Sequence, residues 1–89
     1  MLESQVQGMN ASPAFPLAFA SAGERVRIVS LTGGRGFQER FMSMGLAIGD
    51  VVEIIQCRPN GAVVIGKEGM RYGLGGGMAQ KILVTIKEP

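Results

Sequence analysis

The chain has 89 residues, a formal net charge of +2 at pH 7 and a pI of about 9.1. A chain of this length forms one small domain that buries roughly two-thirds or less of the surface its unfolded form exposes, which argues against an enzyme with an enclosed pocket. Its 14 glycines, together with many valines and isoleucines, favour short strands joined by tight turns over a helical bundle.

The charged residues and the single cysteine limit the class of binding partner and the cellular compartment. The lysines and arginines form no contiguous run, so a nucleic-acid surface is not indicated. Cys57 has no partner for an internal disulfide, as is common in a reducing cytoplasm. We find no basic segment of an export signal and no apolar run near the roughly 20 residues of a membrane helix. We therefore expect a soluble, cytoplasmic protein that reaches a membrane only through a partner.

The N-terminal part divides into a tail and the start of a domain. Residues 1–14 are rich in small and polar side chains and predict a flexible tail, followed by one domain over residues 15–87. Phe15, Leu17 and Phe19 alternate with smaller residues, which predicts an extended segment that closes one end of the core.

The first regular strand is predicted over Glu24–Leu31. Val26 and Ile28 alternate with arginines there, as in a half-buried strand. A glycine-rich bend follows and leads into a helix. Gly36 is the predicted N-cap of this helix, with Glu39 in the first turn.

The helix is the most clearly marked element in the sequence. Phe37, Phe41 and Met44 fall on one stripe at the helical period, so the helix has one face to bury. Gly45 can adopt the left-handed conformation that ends a helix. Leu46 then folds back onto the last helical turn.

The rest of the chain predicts a β-meander. A single helical turn is expected at residues 78–81, before the last strand. The four further predicted strands are Val51–Cys57, Ala62–Gly66, Met70–Leu74 and Ile82–Ile86. Because an open sheet of this size leaves its edges exposed, we expect it to close. The predicted fold class is mainly β, a small barrel of about five strands with one short α-helix inserted after the first strand.

The sequence gives little support for a metal site, a catalytic site or a phosphate-binding site. The chain contains no histidine and one cysteine, so it lacks the usual ligands of a transition-metal site and the usual base for a Ser or Cys nucleophile. The run Gly73–Met78 is close to a phosphate-binding pattern, but it lacks the last glycine and a following Lys-Ser or Lys-Thr. We predict no enzymatic activity, no cofactor and no dedicated metal site.

Recognition of another protein is the remaining class of function. Met42 lies off the apolar stripe of the helix, and further apolar residues follow the helix end, so one patch there can stay exposed or can cap the barrel mouth. An edge strand at Met70–Leu74 can bind a partner strand or support a homo-oligomer. The candidate partner-binding residues are Met42, Leu46, Ile48, Met70 and Tyr72, with Leu46 also fitting a core position.

The order of these elements resembles the FeoA family, the small cytoplasmic components of bacterial ferrous-iron uptake. The resemblance spans Leu17–Ile86 and is most specific over Phe41–Asp50, with Ala79, Ile82 and Val84 adding to it. It implies an SH3-like barrel and an accessory role for the membrane transporter FeoB, whose cytosolic portion carries a GTPase domain. The alternatives are an SH3-like interaction or regulatory module of a metal-dependent system, as at the ends of metal-dependent repressors, and a small RNA-binding barrel.

Overall fold

The computed structural model describes residues 13–87. The predicted tail therefore lies outside the described residues, except for Pro13 and Ala14, which are exposed. The described chain forms these elements in order: β1 (Phe15–Pro16), a 3₁₀ turn (Leu17–Phe19), β2 (Arg25–Leu31), α1 (Arg35–Ser43), β3 (Val51–Cys57), β4 (Val63–Lys67), β5 (Met70–Leu74), α2 (Gly76–Ala79) and β6 (Ile82–Ile86). No helix among them is long and apolar enough to cross a membrane.

All strand pairs are antiparallel, and together they form one sheet in the order β1-β6-β2-β3-β4-β5. The mainly β, barrel-like fold is confirmed, with a sixth strand that the sequence did not indicate because β1 has only two residues. The expected closure of the sheet is wrong, since β1 and β5 are its two edges and do not pair. Instead α2, which follows β5, lies close to both β5 and the 3₁₀ turn after β1.

Alternation along the strands builds the core, as predicted. Val26 and Ile28 of β2 are buried, as are Val52 and Ile54 of β3, whereas Glu53 between the last two is exposed. Phe41 supplies the largest fully buried side chain of the core. The buried set also contains Leu17, Ala20, Leu46, Val63, Ile65, Leu74, Ala79, Ile82 and Val84.

The two ends of α1 differ in how well the sequence defines them. Gly45 takes φ +89° directly after the helix, and its N–H donates to the carbonyl of Met42 at 3.0 Å, which confirms the predicted stop. The predicted start was wrong by two residues, because Gly34 in extended conformation is the N-cap and Gly36 lies inside the helix. A glycine N-cap has no side chain to mark it.

The segment after β1 is also tighter than expected. A 3₁₀ turn is closed by the Ala20 N–H donating to the Leu17 carbonyl at 3.0 Å. Since side chains three residues apart eclipse in this geometry, Leu17 and Ala20 both point into the core, and Phe19 is 74% exposed. The predicted alternation therefore fails at Phe19.

Candidate partner-binding surface

A side-chain clamp fixes the loop that follows α1. The Lys67 ammonium on β4 donates to the Gly45 carbonyl and to Asp50 Oδ2, each at 2.8 Å. The same Asp50 oxygen accepts the backbone N–H of Ala47 at 2.8 Å. The helix end, the following turn and β4 are thus joined at one point.

The charges of this clamp are partly shielded from water, because the side chains of Lys67 and Asp50 are only 17% and 20% exposed. Burial by itself would raise the pKa of Asp50, but hydrogen bonds from Lys67 and Ala47 and the Lys67 charge outweigh it, so the pKa lies below its ordinary value. The hydrogen bond to Asp50 raises the pKa of Lys67 in turn. Each group therefore favours the charged form of the other.

The turn within this loop presents Ile48 to solvent. The Asp50 N–H donates to the Ala47 carbonyl at 3.1 Å, and Gly49 at the third turn position has φ +99°, as a type II turn requires. The Gly49 N–H also donates to the Ile28 carbonyl at 2.7 Å, which ties the turn to β2. Ile48 at the second turn position is 53% exposed.

Met42 extends this exposed apolar surface along the helix. Its side chain is 66% exposed and follows Gln38 by one helical turn, on the same face. A shallow groove of about 260 Å³ runs between Gln38, Ile48 and the end of β2, where Val29 and Leu31 line it. We call Val29, Leu31, Gln38, Met42 and Ile48 the helix–turn patch. The patch is mainly apolar, and the hydrogen bonds of the clamp and the turn fix the backbone of the loop that carries Ile48. Such a surface suits contact with another protein.

The remaining predicted residues lie apart from this patch or beneath it. Met70 is 59% exposed on β5 and pairs in register with Lys67. Tyr72 is half-buried, with its hydroxyl 3.7 Å from where a Cβ on Gly45 would stand. Leu46 is only 2% exposed and belongs to the core, so it presents no side chain to a partner.

Metal ligands do not gather anywhere in residues 13–87, where no group of three or more Cys, Asp or Glu residues could hold an ion. The Cys57 thiol donates to the Ala20 carbonyl at 3.1 Å. Within the glycine run that begins at Gly73, Gly76 has a packing reason, since a Cβ there would stand 2.6 Å from the Asn60 carbonyl oxygen.

The family follows from a comparison with known sequence families. Residues 15–86, nearly all of the described structure, match the model of the FeoA domain. The chain belongs to the FeoA family. The match includes α1, the clamp and all six strands, so the structural features described above lie inside the FeoA domain.

Individual relatives agree with this membership. A protein of Methanocaldococcus jannaschii, provisionally named Fe(2+) transport protein A, is 40% identical over 74 residues, which cover 83% of this chain and 89% of the relative. A crystal structure of the iron uptake regulatory protein FeoA is 27% identical with a TM-score of 0.77, covering 84% of this chain and all of that one.

A manganese-dependent transcriptional repressor shares the FeoA fold. Its structure matches with a TM-score of 0.78 at 19% identity, covering 86% of this chain and 44% of the repressor. At this identity the likeness establishes the fold alone. It confirms that the SH3-like fold also occurs as part of larger proteins.

Two features of the FeoA domain escaped prediction from the sequence. The Asp50–Lys67 clamp joins residues 17 positions apart, and no local pattern links them. Phe19 is more exposed than any predicted partner-binding residue. Only one feature of the sequence pointed to this exposure. Leu17 and Ala20 are three residues apart, which fits a 3₁₀ turn, but the alternation of Phe15, Leu17 and Phe19 fits a strand equally well.

Proposed function

We propose that this FeoA-family protein is a non-catalytic, cytoplasmic accessory of ferrous-iron uptake. In this role it binds a FeoB-like membrane transporter through the transporter's cytosolic GTPase portion and modulates its activity. The observation that carries the proposal is the FeoA domain match over residues 15–86. The relative from M. jannaschii, with a name that assigns it to Fe(2+) transport, supports it.

The helix–turn patch is the surface we assign to the transporter. Met42 and Ile48 are large, exposed apolar side chains, and the clamp fixes the backbone of the helix end and loop between them. Because the loop is already ordered by the clamp, binding does not have to fix its backbone first, and this lowers the entropic cost of association. Apolar side chains placed this way are typical anchors of an interface.

Direct titration tests the proposal. The full-length chain is titrated calorimetrically into the purified cytosolic portion of the transporter, without nucleotide, with GDP and with a non-hydrolysable GTP analogue. We expect saturable binding in at least one state. The variant Met42→Ser/Ile48→Ser should weaken it at least about tenfold, since loss of an interface anchor typically exceeds 1 kcal/mol.

A matched control separates the patch from general apolar surface. Phe19→Ser removes an apolar side chain that is even more exposed and lies outside the helix–turn patch, so it should leave the affinity unchanged. Absence of binding in all three states, together with normal iron uptake in a strain lacking this protein, would refute the accessory role. Equal binding by the Met42→Ser/Ile48→Ser variant would refute the assigned surface alone.

A further inference from the structure

The two edges of the sheet differ in how they are protected from further pairing. β1 is two residues long and contains Pro16, which has no N–H to offer. β5 is five residues long, contains no proline and carries one charged side chain, that of Arg71. Within residues 13–87 no strand pairs with the outer side of β5. This edge can therefore accept another strand.

The turn before β5 determines which backbone groups face that edge. Glu68 and Gly69 both have positive φ, at 53° and 83°, and Lys67 pairs with Met70, as in a two-residue type I′ hairpin. The residues that flank such a turn form a hydrogen-bonded pair, and hydrogen-bonded pairs then alternate along the ladder. The N–H and C=O groups of Arg71 and Gly73 consequently point away from β4.

We propose that β5 pairs antiparallel with β5 of a second copy of this chain, with the two-fold axis at Tyr72. In this register Arg71 of each copy lies opposite Gly73 of the other. The four outward-facing groups of each strand then find partners, giving four hydrogen bonds in all. The two sheets become one continuous sheet of twelve strands.

The side chains support this register over the neighbouring ones. An axis at Arg71 would place two arginines opposite each other, which is destabilising. A pairing shifted by a single residue would place backbone groups of one copy that already bond to its own β4 opposite the outward-facing groups of the other copy. Gly73 has no side chain and is itself exposed, as is Arg71, so the backbone of this edge is open to a second strand.

The dimer should be weak, because one pair of five-residue strands buries less than the roughly 1,200 Å² of a standard interface. We expect a dissociation constant on the order of 10⁻⁴ M. Sedimentation equilibrium of the full-length chain at concentrations up to about 1 mM covers this range. The average mass should rise with concentration toward that of two chains.

Charge placed at position 73 tests the register. Gly73→Glu sets a carboxylate opposite Arg71 of the other copy, whereas Gly73→Lys sets a like charge there. Two symmetric cross-strand pairs should tighten the first dimer by about fivefold and weaken the second by about fivefold. The double variant Arg71→Glu/Gly73→Lys should restore the tighter dimer. Circular dichroism checks that each variant is folded.

Other results would overturn the proposal. A constant monomer mass for both the parent and Gly73→Glu would exclude pairing at this edge. Equal shifts for Gly73→Glu and Gly73→Lys, or a dimer insensitive to both, would place any self-association on another surface. None of these variants touches the helix–turn patch, so the outcome is independent of transporter binding.

Discussion

Asp50 fixes the loop with both its side chain and its backbone. It accepts from Lys67 and Ala47 through the same oxygen, while its own N–H closes the turn around Ile48. The exposed position of Ile48 therefore depends on a residue that is itself mostly shielded. The sequence indicated exposed apolar residues just beyond the helix end but not the clamp, because Lys67 reaches Asp50 only once β4 has been placed.

Loss of the Asp50 charge should destabilise the fold in a pH-dependent way. We expect Asp50→Asn to lower the free energy of unfolding by about 1–2 kcal/mol at pH 7, toward the low end for a hydrogen bond to a charged group, because both side chains of the clamp keep some contact with water. The pKa of Asp50 is below its ordinary value of 3.8 in the folded chain. Its contribution is therefore fully present above pH 3.8 and is lost as the pH falls through the lower folded value.

Urea unfolding of both proteins from pH 7 down to pH 2.5 measures this difference, with Glu39→Gln as a control that removes an exposed carboxylate from α1. The gap between Asp50→Asn and the parent should stay constant at neutral pH and narrow at the acid end. A gap that is absent at pH 7, or that widens on acidification, would contradict the assigned role of the clamp.

At the scale of elements, α2 is positioned by the hairpin that joins β3 to β4. Gly76 at the start of α2 lies against the Asn60 carbonyl, with no room for a side chain. The Asn60 side chain in turn accepts the Ala62 N–H at 3.0 Å, which shapes the hairpin loop. The contact therefore fixes the start of α2 against the loop between β3 and β4.

Adding one methyl group should therefore disturb this contact. We expect Gly76→Ala to reduce stability by about 1–3 kcal/mol, the usual effect of overpacking a tight site. Gly77→Ala is the matched control, because a Cβ there meets nothing within 4 Å and alanine favours a helix by about 1 kcal/mol. Thermal unfolding distinguishes the two. Equal midpoints would show that the Gly76 approach is not needed for the fold.

Elements that depend on their own residues were predictable from the sequence, whereas elements that depend on contacts with distant segments were not. The end of α1 follows from Gly45, and β3 follows from its own β-branched residues, so both matched. The pairing of β1 with β6 joins Phe15 to Val84, and neither segment carries a sign of the other. The candidate surface shows the same division: Ile48 was a candidate because it follows the clearly marked helix end, whereas the exposure of Phe19 required the actual 3₁₀ geometry.

At the scale of the whole molecule, composition limits what the chain can hold. With no histidine and one cysteine in 89 residues, and no suitable acidic cluster in residues 13–87, we predict that folding is independent of metal. Treatment with a chelator should leave the thermal midpoint unchanged. Anaerobic dialysis against Fe(II) should leave no stoichiometric iron on the protein. One retained iron per chain, with a raised midpoint, would contradict this prediction.

The antiparallel pairing of Phe15 with Val84 brings the first and last strands of the described chain side by side. The chain therefore enters the sheet at residue 15 close to where it leaves it at residue 86, as in domains that tolerate insertion and circular permutation. A short linker between these two positions, with a new opening at the Glu68–Gly69 turn, should preserve every strand. The same arrangement lets a host polypeptide carry this domain as an appendage without any change to its interior.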